Sequence, residues 1–270
     1  MQYFRTTGKL IAAVLLLTAC AKGKTGEAQP APVAGTYKLV WSDEFNQSSL
    51  DTTQWFYRQP GVRHNGFNDS SAVYTLPGGN LVIEVYSDTS ASGVKHYTGM
   101  IATRRQFLYG KFECRVAFRN KPGSWSAFWL QTPTMGNPMG NPRVAGMEID
   151  VVESLPDDGR AYLNLHWDGY EANHKTAGIK TADVGCNDGN FHTYTLEWTP
   201  EAYVFWIDGK EVWRFTQAVS QRSEFIILSS EVKQGTTGIW AGSIVPGGYG
   251  RKGSSQTRMV VDYVKVWQKQ

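Results

Sequence analysis

The sequence predicts an all-β domain of many short antiparallel strands, a sandwich or a jelly roll. Runs in which apolar and polar residues alternate recur from Tyr37 onward, among them "NLVIEVYS", "GKFECRVAFR", "TYTLEW" and "MVVDYVKVWQ". A period of two marks a strand with one buried face. In "YVFWIDGKEVWRF" the pair Asp208-Gly209 separates two alternating arms, the signal of a tight hairpin. Helical periodicity is scarce, and only "AVSQRSEF" leaves room for a turn or two of helix.

The residues before Tyr37 do not belong to that pattern. Arg5 and Lys9 precede the apolar run "LIAAVLLLTA", too short to span a bilayer but suited to a signal-peptide core. The run closes on "LTAC", Leu17 to Cys20, which resembles the bacterial lipobox. That resemblance implies cleavage after residue 19 and acyl chains on Cys20. They would anchor an exported lipoprotein to a membrane, at the outer membrane, the cell surface or the periplasmic face. Residues 20–36 carry almost no bulky side chains and read as a flexible tether. Residues 37–270 suffice for one large domain, expected to be a monomer.

Composition narrows the partners. The chain of 270 residues has a formal net charge of +3. Loss of residues 1–19 removes Arg5 and Lys9 and no acid, leaving +1. A near-neutral chain without a basic cluster is a poor nucleic-acid binder. Aromatic residues make up 13%, with ten Trp, which suits stacking on sugar rings as well as filling a β-rich core. Export permits a disulfide between Cys114 and Cys186. However, Phe112, Cys114, Val116 and Phe118 share one strand face, which fits a buried free thiol equally well.

The chemistry concentrates in "GMEIDVVES", residues 146–154. Glu148 and Asp150 point to one face of a strand, and regular alternation would turn Glu153 to the other. An extra residue at Val151-Val152, a β-bulge, would return Glu153 to the face of the first two. Like charges so crowded repel, which a solvated structural strand has no reason to accept. Hydrolysis of a glycosidic bond, by contrast, needs a pair of carboxyl groups in different protonation states. Asp150 between them would help hold one glutamate protonated. The Cα atoms of Glu148 and Glu153 would stand on the order of 13 Å apart, so their side chains must converge across a curved sheet.

This pattern resembles the catalytic strand of glycoside hydrolase family 16, in which bulged E-x-D-x-x-E marks the laminarinase, agarase and carrageenase branch. "WSDEFN" (41–46), "YGKFECRV", "GSWSAFWL" (123–130), "FHTYTLEWTPEAYVFWIDGKEV" and "MVVDYVKVW" resemble further family segments in the same order, with Ser126 where the family has proline. The resemblance implies a β-jelly-roll of two antiparallel sheets with a concave substrate cleft. It implies an endo-acting, retaining hydrolase of internal β-linkages in a polysaccharide, without a catalytic cofactor. Glu148 would be the nucleophile, Glu153 the general acid/base and Asp150 the supporting carboxylate. A β-1,3- or mixed-linkage glucan is the first substrate expected. The family's G-N-N-E-like segment is replaced here by "HNGFND", which leaves a β-galactan or host O-glycan open. A carbohydrate-binding jelly roll and a transglycosylase are the rivals.

Other residues follow from the same resemblance. Trp125 and Trp129 share a face; Trp125 is expected at the sugar-binding cleft as a stacking platform, and Trp129 either lines the cleft or packs in the core. "HWDGYEANH" offers His166 and Trp167 as subsite residues and His174 as a loop contact. Asn65 in an early loop, and Glu231 and Trp240 in the glycine-rich stretch 231–250, are further candidates. Glu44, Gly79 and Asp262 fall where some family members hold a structural calcium, although Asp262 could equally form a salt bridge or cap a turn.

Overall fold

A computed structural model describes residues 36–156, 158–234 and 240–270. The expected signal peptide, Cys20 and nearly all of the expected tether lie outside the described residues. In chain order the strands are β1 (Tyr37–Asp43), β2 (Trp55–Tyr57), β3 (Gly61–Arg63), β4 (Gly66–Asn68), β5 (Val73–Thr75) and β6 (Leu81–Glu84). Next come β7 (Tyr86–Ser90), β8 (Gly93–Thr103), β9 (Gly110–Arg119), β10 (Ser124–Gln131), β11 (Glu148–Ser154) and β12 (Arg160–Trp167). The last six are β13 (Lys175–Asp183), β14 (His192–Trp198), β15 (Tyr203–Ile207), β16 (Lys210–Phe215), β17 (Phe225–Val232) and β18 (Arg258–Lys269).

The strands form two sheets. One runs β16-β15-β14-β9-β18-β6-β5, with β1 also on β18. The other runs β13-β12-β11-β10-β17-β8-β4-β3, with β2 and β7 also on β8. Pairing is antiparallel except between β4 and β8, which run parallel. The facing surfaces close over one apolar core. Phe112, Cys114, Val116 and Phe118 of β9 meet Ile149, Val151 and Val152 of β11 and Leu163 and Leu165 of β12 there, all essentially without solvent contact. Cys114 and Cys186 are both buried and both free, so the pair is not a disulfide. Burial holds both thiols above their ordinary pKa.

Two details differ from the sequence reading. The run "NLVIEVYS" is not one strand: it breaks at Val85, whose N–H goes to Thr257 O at 2.9 Å, so β6 lies in one sheet and β7 in the other. The stretch "AVSQRSEF" forms no helix. Its backbone is claimed by the core instead, as Ser220 N donates to the Tyr203 hydroxyl at 2.8 Å and Trp198 Nε1 to Ser220 O at 3.0 Å. The hairpin at Asp208-Gly209 is as expected, with φ of 47° and 76°, both left-handed as such a tight turn requires.

Candidate active site

The bulge that the double valine suggests is present. Across to β12, Glu148 pairs with His166, Asp150 with Asn164 and Glu153 with Tyr162. Three steps on β11 are thus matched by two on β12, with the shift between Asp150 and Glu153. Toward β10 the register slips at the same place, between Phe128–Val152 and Trp129–Asp150. Ile149, Val151 and Val152 all enter the core. The slip therefore keeps Glu153 on the outer face with Glu148 and Asp150.

Because side chains alternate along each strand, the outer face can be read from the register. It carries Trp125, Ala127, Trp129 and Gln131 of β10, with Phe225, Ile227, Ser229 and Glu231 opposite them on β17. On the other side of β11 it carries Tyr162, Asn164 and His166. Each of the three acids has its own partners. Glu148 Oε2 accepts from Gln131 Nε2 at 2.7 Å and, closely, from the Tyr170 hydroxyl. Asp150 is 5% exposed, with its Oδ2 3.4 Å from His166 Nε2. Glu153 Oε2 accepts from Asn164 Nδ2 at 2.7 Å. Oxygen and nitrogen atoms of Glu148, Asp150 and His166 lie within 4.8 Å of one another.

This environment separates the acids electrostatically. Glu148 stands above its ordinary value because burial, helped by Glu231, outweighs the Tyr170 hydroxyl, the nearby His166 and the Gln131 amide, which favour its carboxylate. Burial also pushes Glu153 well above the usual carboxylate range, reinforced by the charge of Asp150, against one opposing hydrogen bond from Asn164. Asp150 is raised well above its ordinary value too, by burial and then by Glu148. Burial lowers His166, which favours the neutral ring. One glutamate is thus provided with donors and the other is kept as an acid.

Several expected residues are brought to this face. His174 stacks on His166 with ring centroids 5.0 Å apart, and its Nε2 lies 2.9 Å from His166 Nδ1. Glu231 lies beside Trp125 and is gripped by Arg63 at 2.6 Å, with His64 at 3.4 Å. Trp240 is 42% exposed and meets Tyr162 edge-on at 5.0 Å.

Others need correction. Trp167 does not share the face of His166, since adjacent strand residues point opposite ways. It packs against the core and Phe215, at 6.0 Å. Trp125 and Trp129 line the face but are only 9% and 6% exposed, so neither offers an open ring for stacking. Trp129 is covered by the Arg58 guanidinium and donates its Nε1 to Ser229 Oγ at 3.1 Å. Asn65 sits in the β3–β4 turn, where its Oδ1 accepts from Gln234 N at 2.7 Å and its own N–H bonds Val232 O at 3.1 Å. It secures the hairpin to the end of β17.

The calcium donor set is engaged otherwise. Asp262 pairs with Arg115 at 2.6 Å, Glu44 with Lys265 at 3.0 Å, and the Gly79 carbonyl accepts from Asn80 Nδ2. With two cationic side chains on its two carboxylates, the set does not fit a calcium ion. The salt-bridge alternative for Asp262 is what the structure shows. Two surface hollows of about 400 and 420 Å³ lie elsewhere, and Glu201 is the one carboxylate lining either, so they hold no carboxyl pair.

The residues missed are Gln131, Tyr170, Asn164 and Arg58. Gln131 continues the Trp125–Trp129 alternation by two, and Asn164 precedes His166 by two, so period alone could have found them. Tyr170 and Arg58 reach the face from loops and left no such trace.

A family model described as glycosyl hydrolases family 16 matches residues 63–265, three quarters of the chain. The chain belongs to glycosyl hydrolases family 16. Among family 16 relatives, the keratan-sulfate endo-1,4-beta-galactosidase of Sphingobacterium multivorum is 28% identical over 96% of this chain. The chain spans 65% of the length of that relative. A beta-glucanase of Rhodothermus marinus is also 28% identical, over 74% of this chain and 72% of its own. Porphyranase B from Zobellia galactanivorans superposes with a TM-score of 0.69 at 23% identity, covering 91% of this chain and 97% of that one. The catalytic domain of a Thermotoga petrophila laminarinase gives 0.68 at 22%, covering 87% and 99%. These likenesses show that the family 16 jelly roll is the fold of this chain.

Proposed function

We propose that the chain is a retaining, endo-acting glycoside hydrolase that cleaves internal β-linkages of a polysaccharide. The observation that carries this is the unequal provision for two glutamates on one face: two neutral donors on Glu148, and burial beside Asp150 for Glu153. Glu148 attacks the anomeric carbon as that carbon's bond to the leaving oxygen breaks. Glu153 gives its proton to the departing oxygen. The deprotonated Glu153 then takes a proton from water, which attacks the glycosyl–Glu148 ester and frees Glu148 with net retention. Charge on Asp150, whose Oδ2 lies 3.4 Å from His166 Nε2, raises the Glu153 carboxyl and so favours its protonated form.

The test is Glu148→Gln together with the anomeric configuration of first products by NMR. Near-complete loss of hydrolysis and retained configuration support the assignment. Inversion, or an active Glu148→Gln, sinks it. Protein that binds an oligosaccharide but never cuts it would be a carbohydrate-binding jelly roll instead.

A β-1,3- or mixed-linkage glucan remains the first substrate to try, supported by the beta-glucanase relative. A second reading, an endo-β-galactosidase, is favoured by the Arg63-His64-Asn65 hairpin that stands in place of G-N-N-E and locks onto Glu231. It is also supported by the keratan-sulfate relative. Digestion of laminarin, mixed-linkage glucan, agarose, carrageenan and mucin O-glycans, with products sized, separates them. The lipobox-like "LTAC" further supports placing the mature chain on a bacterial membrane through lipid on Cys20. Cys20→Ser would then release it to the soluble fraction.

A further inference from the structure

Arg58 occupies an uncomfortable place. Its guanidinium lies over the rings of Trp129 at 5.8 Å and Phe225 at 6.0 Å, and its buried Nε has no hydrogen-bond partner. A half-buried cation with a buried, unmet donor is costly, so its position calls for a return elsewhere. What it does hold is Gln131: Arg58 Nη2 donates to Gln131 Oε1. The other end of that amide faces the reaction. Gln131 Nε2 donates to Glu148 Oε2 at 2.7 Å and to the Tyr170 hydroxyl at 2.5 Å, and that hydroxyl in turn donates to the same Glu148 oxygen.

A primary amide is nearly symmetrical in shape but opposite in polarity at its two ends. With its NH2 end toward Glu148 it stabilises the carboxylate. Turned over, it would set a carbonyl oxygen against the carboxylate and the phenol would lose an oriented neighbour. Arg58 has no acceptor and stays charged, so it can receive only the carbonyl end. The backbone fixes the origin of the arm: Arg58 N donates to Met100 O at 2.9 Å, tying the end of β2 to β8.

We infer that Arg58 is a positioning residue for Glu148, acting through Gln131, whose amide it orients so that two donors converge on Glu148 Oε2. This rests on the reading of Glu148 as nucleophile. The consequence is an anionic Glu148 in a site whose burial opposes charge, with Oε2 held and Oε1 left to attack.

The test compares the full chain with Arg58→Met, Arg58→Lys, Gln131→Leu and the double variant Arg58→Met/Gln131→Leu. Methionine keeps apolar cover over Trp129 and Phe225, and lysine keeps the charge in case the methionine variant does not fold. The first readout is the Glu148 carboxyl titration by 13C NMR, identified by its absence in Glu148→Gln. The second is kcat and KM on whichever panel polysaccharide the wild type cleaves, laminarin first.

The expected result is a Glu148 titration moved upward in Arg58→Met and Gln131→Leu alike, with the double variant no worse than the single ones. Arg58→Lys should lie between. On substrate, kcat should fall about 10- to 100-fold, the rate equivalent of one lost hydrogen bond to a charged group, with KM within about twofold. The acid limb of the pH profile should move up with the titration.

An unmoved titration in Arg58→Met, or in Arg58→Lys if only that variant folds, overturns the proposal. So does additivity in the double variant, which would mean that Arg58 acts by its field alone. If the wild type cleaves nothing in the panel, the hydrolase reading fails while the titration still judges the Arg58–Gln131–Glu148 chain.

Discussion

Gly178 of β13 lies directly across from Asn164 of β12, and a Cβ placed on it would fall 2.1 Å from Asn164 Oδ1. Asn164 is the residue that donates to Glu153. The missing side chain therefore leaves the space in which the amide can reach the proposed acid/base.

Gly178→Ala should accordingly act at a distance on Glu153. Its added methyl also meets Leu163 O at 2.8 Å, so the amide must turn away rather than retreat along the sheet. The expected outcome is a roughly tenfold lower kcat, about the rate equivalent of one hydrogen bond, with a modest loss of Tm. Asn164→Ala should reproduce the rate loss without the strain. Full activity in both variants would show that the Asn164 contact is dispensable.

Glu153 itself ties activity to stability. Its folded pKa lies above the unfolded value because burial and Asp150 disfavour its charge. A group shifted this way contributes fully below the ordinary carboxylate range, and that contribution is lost as pH rises through the folded pKa. Glu153→Gln should thus be inactive yet more stable than the parent at about pH 8, by a few degrees in Tm. Below about pH 4 the two should melt alike. An equal Tm difference at both pH values would contradict the titration of Glu153.

Glu224 offers the same test at a carboxyl that takes no part in the proposed reaction. It is fully buried, its Oε1 accepts from Met147 N at 3.1 Å, and its Oε2 has no hydrogen-bond partner. Burial pushes its pKa up from 4.5 to about 8. Stability should therefore decline as pH rises across that window and level off above it. Glu224→Gln should flatten this decline in urea melts at several pH values while kcat stays within about twofold, since a change of about 1.4 kcal/mol would be needed for tenfold.

Trp240 and Trp167 should part company in kinetics. Trp240 is 42% exposed beside Tyr162, an available ring for a sugar face. Trp240→Ala should raise KM several-fold with little change in Tm. Trp167→Ala removes core packing, and should lower stability by about 3 kcal/mol with KM nearly unchanged. Reversed effects would return Trp167 to the cleft.

The contrast between those two tryptophans shows where sequence was readable. Alternation located the strands, and the doubled Val151-Val152 located the bulge, because both follow from side-chain period. The same rule, applied to His166-Trp167, would have excluded Trp167. What period cannot supply is how loops fold over a face. Trp125 and Trp129 sit on the predicted side, yet their rings are covered by groups brought from distant segments, such as His64 and Arg58. Tyr170 and Arg58 owe their positions to loop closure and to β2, which no local pattern announces. Cys114 was legible as a buried thiol from its neighbours, whereas its relation to Cys186 needed three dimensions.

The place of β18 in its sheet sets the order in which the molecule can be made. This strand, residues 258–269, pairs with β1, β6 and β9, and so joins segments that emerge from the ribosome much earlier. Until it arrives, β9 and β6 have no common neighbour and β1 has no partner, so their hydrogen-bonding edges stand open. Pairings of such long sequence separation are slow, and open edges invite aggregation while they wait. Completion of this sheet therefore waits for β18. A chain shortened by its last dozen residues would lose the seam of one sheet, although every residue of the carboxylate trio would still be present.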